Sequence, residues 1–274
     1  MTTTTAPTTD RRRGGVRALY AGNARAILYR SLTATKSTNW MVVLSGFFEP
    51  VFYLVAMGYG LGSFVGDLTL PTGETVSYAA FIAPGLLAVS AMNGAVYDST
   101  WNVFFKLHFG KLYEAQLTTS IGPLDVALGE ISYALLRGGV YALGFLTVMQ
   151  VMGLNLAWSA LAAVPAVLLI AFGFAAVGMA VTSYLKTFQQ MDWITFVMLP
   201  MFLFSATFYP LSVYPEPIQW LIKAMPLWHG VELVRGLTLG VVDPSMLVHI
   251  GYYLVMVVLG LTFTTTRLRA LFLD

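Results

Sequence analysis

The chain has 274 residues, of which 57% are hydrophobic and only 10% charged. A soluble domain carries about 25% charged residues, so a water-soluble fold is excluded and an integral membrane protein is indicated. The net charge of +2 says nothing as a total, and the absence of cysteine excludes disulfides, thiolate metal sites and cysteine nucleophiles.

The first nine residues are Thr-rich and a basic cluster follows at Asp10–Gly15. Residues 1–15 read as a disordered tail, and no apolar core of signal-peptide type follows closely. Val16 to Lys36 reads as an amphipathic helix lying along the membrane. Leu19, Ala26, Ile27 and Leu32 supply apolar substance, and Arg17, Arg25 and Arg30 supply charge suited to an anionic leaflet.

A spanning helix needs about 20 apolar residues. Six runs qualify or nearly so: about 40–61, 78–101, 131–152, 158–181, 193–208 and 246–263. The fifth is short. None alternates apolar and polar residues as a membrane β-barrel strand does. An all-α membrane protein with six transmembrane helices is the expected fold class, with residues 16–274 as one membrane domain. On a reading with both termini inside, thirteen of the fifteen basic residues are cytoplasmic.

Ionisable residues within spans are costly and need a reason. Glu49 is central in the first run, beside Pro50, and lines a path, pairs across a subunit interface or sets packing. Asp98 and Asp192 fall near the cytoplasmic ends and read as interfacial. Arg137 reads as a snorkelling structural residue.

Phe105 to Ile131 is too long for a minimal connector. It contains a short helix, Lys111 to Thr118, broken before Gly122-Pro123. Leu112, Tyr113 and Leu117 would leave apolar groups facing water, which makes the segment a docking element.

Phe208 to Gly236 is half apolar and cut by Pro210, Pro215, Pro217 and Pro226. Pro217 suits a first helical turn and Pro226 stops that helix. A second short helix begins near Trp228. Glu232 and Arg235, three apart, are expected to pair and hold it, so exchanging the two charges should retain some activity. Two short helices dipping into the outer leaflet satisfy their own backbone.

The sequence contains no GxxxxGK[ST] phosphate loop, no HExxH and no GxSxG. His108, His229 and His249 are far apart, and no metal site is recognised. A membrane enzyme acting on lipid-linked substrates would need a catalytic cluster at one face, and none is found. A secondary carrier with paired broken helices would need a counterpart to Phe208–Gly236 in the first half.

Four stretches in order, "EPVFYLVAMGYGLG", "YAAFIAPGLLAVSAMNGAVYDST", "GKLYEAQLTTSIGPLDVALGE" and "FYPLSVYPEPIQWLIKAMPLWHGVELVRGLTLG", resemble the type-2 family of ABC exporter permeases. Within it the chain resembles lipo-oligosaccharide (nodulation-factor) export permeases first and drug-efflux permeases next. Asp98 departs from the glutamate of that pattern, a conservative change. The resemblance implies an N-terminal interface helix, a cytoplasmic coupling helix and an extracytoplasmic re-entrant hairpin before the last span. It implies ATPase docking by Lys111, Leu112, Tyr113, Glu114, Leu117, Ser120 and Pro123. The candidates for a substrate path or gate are Glu49, Tyr53, Asp98, Phe208, Glu232 and Arg235. No catalytic residue or metal is expected in this chain. ATP and magnesium would be held by a separate ATPase subunit, and a second permease copy would complete the transporter in the cytoplasmic membrane. The expected substrate is amphipathic, a lipid-linked saccharide or glycolipid, with a drug as the alternative; nucleic acid is not expected.

Overall fold

The computed structural model describes residues 20–35, 40–70, 73–154 and 158–272. The tail at 1–15, the start of the amphipathic helix and the loop around Asn155 lie outside the described residues. Besides a four-residue helix at Gly62–Val65, ten α-helices and one two-stranded hairpin are found among the described residues. In chain order they are α1 (Ala24–Thr35), α2 (Trp40–Val55), β1 (Asp67–Thr69), β2 (Thr75–Ser77), α3 (Tyr78–Tyr97), α4 (Leu112–Leu117), α5 (Pro123–Val151), α6 (Ala163–Thr182), α7 (Asp192–Leu203), α8 (Glu216–Ala224), α9 (Pro226–Leu239) and α10 (Met246–Phe272).

Five helical stretches among the described residues are long and apolar enough to cross a membrane: Phe48–Val65, Tyr78–Phe109, Pro123–Val151, Trp158–Thr182 and Met246–Phe272. The expected run at 193–208 does not form a helix of that length. Its helix, α7, has 12 residues, about 18 Å at 1.5 Å per residue against a hydrocarbon core of about 30 Å. Phe204 leaves helical geometry and Ala206 has φ 56°. The apolar run continues to Phe208, but its last residues are a turn. There Ser205 Oγ donates to Phe202 O at 3.0 Å and lies 2.7 Å from Thr207 Oγ1.

α3 is the central helix and is buried nearly throughout. Its sequence explains this: Ala79, Ala80, Ala83, Gly85, Ala88, Ala91 and Ala95 are small, so neighbours approach closely on several sides. A Cβ at Gly85 would lie 3.2 Å from Thr207 Cα. Ser77 caps the helix, its Oγ accepting from Ala80 N–H at 3.3 Å. Just before it, β1 and β2 pair antiparallel with Leu68 opposite Val76.

The long fourth and last spans also touch backbone to backbone. A Cβ at Gly260 of α10 would lie 2.5 Å from the Ala176 carbonyl carbon of α6. Small residues replace the hydrophobic effect as the reason for helix association where lipid is the solvent.

α5 starts at Pro123, with Gly122 in an extended conformation before it and Asp125 in its first turn. Asp125 accepts from Gly122 N–H at 2.9 Å, and from the backbone N–H groups of Ala21 at 2.7 Å and Asn23 at 2.9 Å. One buried carboxylate thus fixes both the start of α5 and the entry to α1. Gly129 keeps the two helices close: a Cβ there would lie 2.6 Å from Ile27 Cβ.

Candidate functional site

An open cavity of about 680 Å³ lies among α2, α3, α5 and α7, within the usual range of ligand sites. From α2 it is lined by Glu49, Pro50 and Tyr53. From α3 and its continuation it receives Ser90, Asn93, Tyr97 and Trp101, from α5 Arg137 and Tyr141, and from α7 Met198 and Phe202. Leu86, Val89 and Leu199 add aliphatic wall.

Local backbone explains part of this lining. After Tyr97 the third helix widens into a π-helical turn, Asp98–Asn102, and again at Phe105–Phe109. Such turns shift the side-chain register and recur at functional sites. Here the first turn directs Asp98 into the bundle, where it is 8% exposed and pairs with Arg137. Asn102 Nδ2 donates to Asp98 Oδ1 at 2.9 Å. α6 presses against this turn at Gly178, whose absent side chain leaves room for Ser99 and Thr100.

Asp98 is therefore enclosed by protein, whatever its depth along the span. The helix runs on to Phe109, eleven residues past it, with Lys106 half-buried and His108 exposed on its last turns. Lys106 Nζ bonds Glu130 at 2.6 Å, and His108 Nε2 lies 2.9 Å from Leu185 O. Arg137, read as a snorkelling residue, is the partner of Asp98 and part of the cavity wall. Glu49 is exposed on the open side and has no hydrogen bond or ion pair among the described residues. Tyr53 meets Phe202 edge-on at 6.2 Å, and Phe202 meets buried Phe208 at 5.2 Å.

At one end of the bundle, α1, α4 and the start of α5 form a second cluster. Glu130 takes two cations, Arg30 at 3.1 Å and Lys106 at 2.6 Å. Asn23 Nδ2 donates to Ser120 O at 2.6 Å. Tyr113 is fully buried beside Glu130, without a hydrogen bond of normal geometry. Burial, and then the Glu130 carboxylate, hold its phenol well above the ordinary value, so it stays protonated. This corrects the expected docking face. Tyr113, Leu117 and Pro123 face the interior rather than water, and Leu112 is half-buried. The exposed face of α4 is Lys111, Glu114, Ala115 and Thr118, with Ser120 just beyond.

At the other end, α8 and α9 are separated by Met225, held extended at ψ 135° by the following Pro226. Arg235 on α9 is buried, 7% exposed, and pairs with Glu232 at 2.7 Å as the spacing predicts. Sequence reasoning missed its other partners. Its Nε donates to Phe81 O at 3.3 Å, and its Nη2 donates to Ala206 O at 2.8 Å and Thr207 O at 3.5 Å. The guanidinium also lies 4.0 Å from the Phe81 ring centroid.

The histidines, far apart in sequence, are not all far apart in space. His229 and His249 approach with Nδ1 atoms 2.7 Å apart, joining α9 to α10. Tyr253 Oη reinforces this joint by donating to Pro226 O at 2.8 Å. Among the described residues no group of three metal-ligating side chains gathers.

A family model described as ABC-2 type transporter matches residues 23–239. Nodulation protein J of Rhizobium leguminosarum bv. viciae is 30% identical over 258 residues, covering 93% of this chain and 98% of that protein. Nodulation protein J of Rhizobium meliloti (strain 1021) is 29% identical over 230 residues, 84% of each chain. The inner membrane transport permease YadH of Escherichia coli (strain K12) is 26% identical over 215 residues, 75% of this chain and 78% of that one. A match over most of the chain, joined to five membrane-length helices, makes this protein a member of the ABC-2 type transporter family, a membrane-embedded, multi-pass transport permease.

Proposed function

We propose that the chain is the transmembrane half of an ATP-driven exporter that moves an amphipathic molecule, a lipid-linked saccharide or glycolipid, out across the cytoplasmic membrane. The observation that carries this reading is the cavity between α2, α3, α5 and α7. It combines aromatic and aliphatic wall with Glu49, Ser90, Asn93 and Tyr141, so one lining meets both the apolar and the polar part of such a molecule. ATP and magnesium belong to a separate subunit in this reading, because the sequence has no phosphate loop. That subunit docks on the outward face of α4. Both termini are cytoplasmic, as the basic residues favour. α7 and the turn after it form the remaining, incomplete traverse, and α8–α9 re-enter the membrane from outside as a seal. A second permease copy covers the open side of the cavity. The test is Ser90→Trp, which fills the cavity. Export of glycolipid from cells, followed by mass spectrometry of the medium, should fall at least about tenfold, with membrane level and ATPase copurification unchanged. Normal export by that variant overturns the path.

A further inference from the structure

The charges of the cavity do not cancel. Among its lining residues the formally charged ones are Glu49 and Arg137. Arg137 is answered from behind the wall by Asp98. Glu49 has no such answer among the described residues and faces the open side. The lining therefore presents one uncompensated carboxylate. Around it Tyr53, Tyr97, Trp101 and Tyr141 supply ring faces, which attract cations and the C–H faces of sugars and do not attract anions. In a partly desolvated cavity a unit charge beside a carboxylate gains or loses several-fold more than it would in water.

We infer that Glu49 is a specificity-determining residue: it admits amphipathic molecules whose polar head is uncharged or cationic and rejects those whose head is anionic, such as a phosphate. This rests on the proposed transport path and narrows its substrate class. A phosphate head would meet Glu49 with no free cation in the lining, since Arg137 is already engaged. A hydroxyl-rich or amine-bearing head gives Glu49 donors and leaves the aromatic faces to stack.

Three probes with one alkyl chain separate the possibilities: dodecyl glucoside, dodecyltrimethylammonium and dodecyl phosphate. The full chain in nanodiscs is loaded with tritiated dodecyl glucoside, and each unlabelled probe is titrated as a competitor, with empty nanodiscs subtracted. In the wild type the ammonium probe should displace the label at a concentration about tenfold or more below the phosphate probe. Glu49→Gln, nearly isosteric, should shrink that ratio to within about threefold. Glu49→Lys should invert it, a gain of phosphate binding that misfolding cannot produce. A ratio unchanged in both variants overturns the role of Glu49 while leaving the cavity as the path. Label that remains displaceable in Ser90→Trp shows that binding lies elsewhere, which overturns the path and this inference together.

Discussion

Arg235 carries a charge into the interior and is held there by more than its neighbour. Glu232, whose side chain is 36% exposed, contributes one contact, whereas Phe81 O, Ala206 O and Thr207 O receive the rest of the fork. Two of those carbonyls, of Ala206 and Thr207, belong to the turn that ends α7, so Arg235 supplies donors where the backbone has left helical geometry, and a third contact reaches Phe81 O of α3. A partly exposed ion pair contributes about 0–1 kcal/mol. Stranding buried carbonyls costs about 1–3 kcal/mol each. Arg235→Gln should therefore lower stability by at least about 3 kcal/mol, and Glu232→Gln by about 1 kcal/mol or less. The exchange Glu232→Arg with Arg235→Glu should not restore the protein, because the new carboxylate would face three carbonyl oxygens. This reverses the expectation from spacing alone. Thermal unfolding of the solubilised variants gives the ranking, and rescue by the double exchange would show that the pair, not the carbonyl set, matters. Spacing made the partner three residues away legible. The carbonyls of Phe81 and Ala206, 154 and 29 residues away, have no local signal.

The short helix α4 shows the same limit one scale up. Its existence was legible from Lys111 to Thr118, bounded by Gly122-Pro123, but the use of its apolar face was not. Tyr113, Gln116 and Leu117 recur at helical spacing, and periodicity marks a face without naming what covers it. In the fold this face lies against the chain itself, with Tyr113 fully buried beside Glu130. Likewise the hydropathy of 193–208 recorded apolar residues and not backbone, so the turn at Ala206 was invisible. For α4 the prediction now divides between two faces. Leu117→Asp puts a charge at a 9% exposed position and should cost about 3 kcal/mol or more, seen as lost membrane-inserted protein. Glu114→Arg, on the exposed face, should leave the protein folded and weaken copurification of the ATPase subunit at least about fivefold, as expected for a reversed rim charge. An ATPase interaction insensitive to Glu114→Arg, together with a well-folded Leu117→Asp, would return docking to the apolar face.

Across the whole molecule two large apolar surfaces remain, and their chemistry differs. The outward side of α10 is almost wholly aliphatic, with Leu247, Val248, Leu254, Val255, Val258 and Leu259 exposed, as a lipid-facing helix requires. α2, its π-helical continuation Ala56–Leu61 and the α7 segment expose many rings: Phe52, Tyr53, Tyr59, Trp193, Phe196 and Phe204. They also carry Glu49 and the mouth of the cavity. A carboxylate facing hydrocarbon costs about 2.5 kcal/mol or more on insertion scales, so lipid is a poor neighbour for this side. In the proposed transporter a second copy of the chain, presenting the same face about a two-fold axis, would enclose both. Because the sequence has no cysteine, single substitutions report cleanly. A cysteine at Phe196 or Tyr59 should form a disulfide-linked dimer in membranes on mild oxidation, with a yield severalfold above that of one at Val258 or Leu247. The yield should not depend on dilution of the protein into excess lipid, since a standing interface brings the two copies together before oxidation. Equal yields at all four positions would mean random collision, and selective linkage through Val258 would move the interface to α10 and leave the cavity open to lipid.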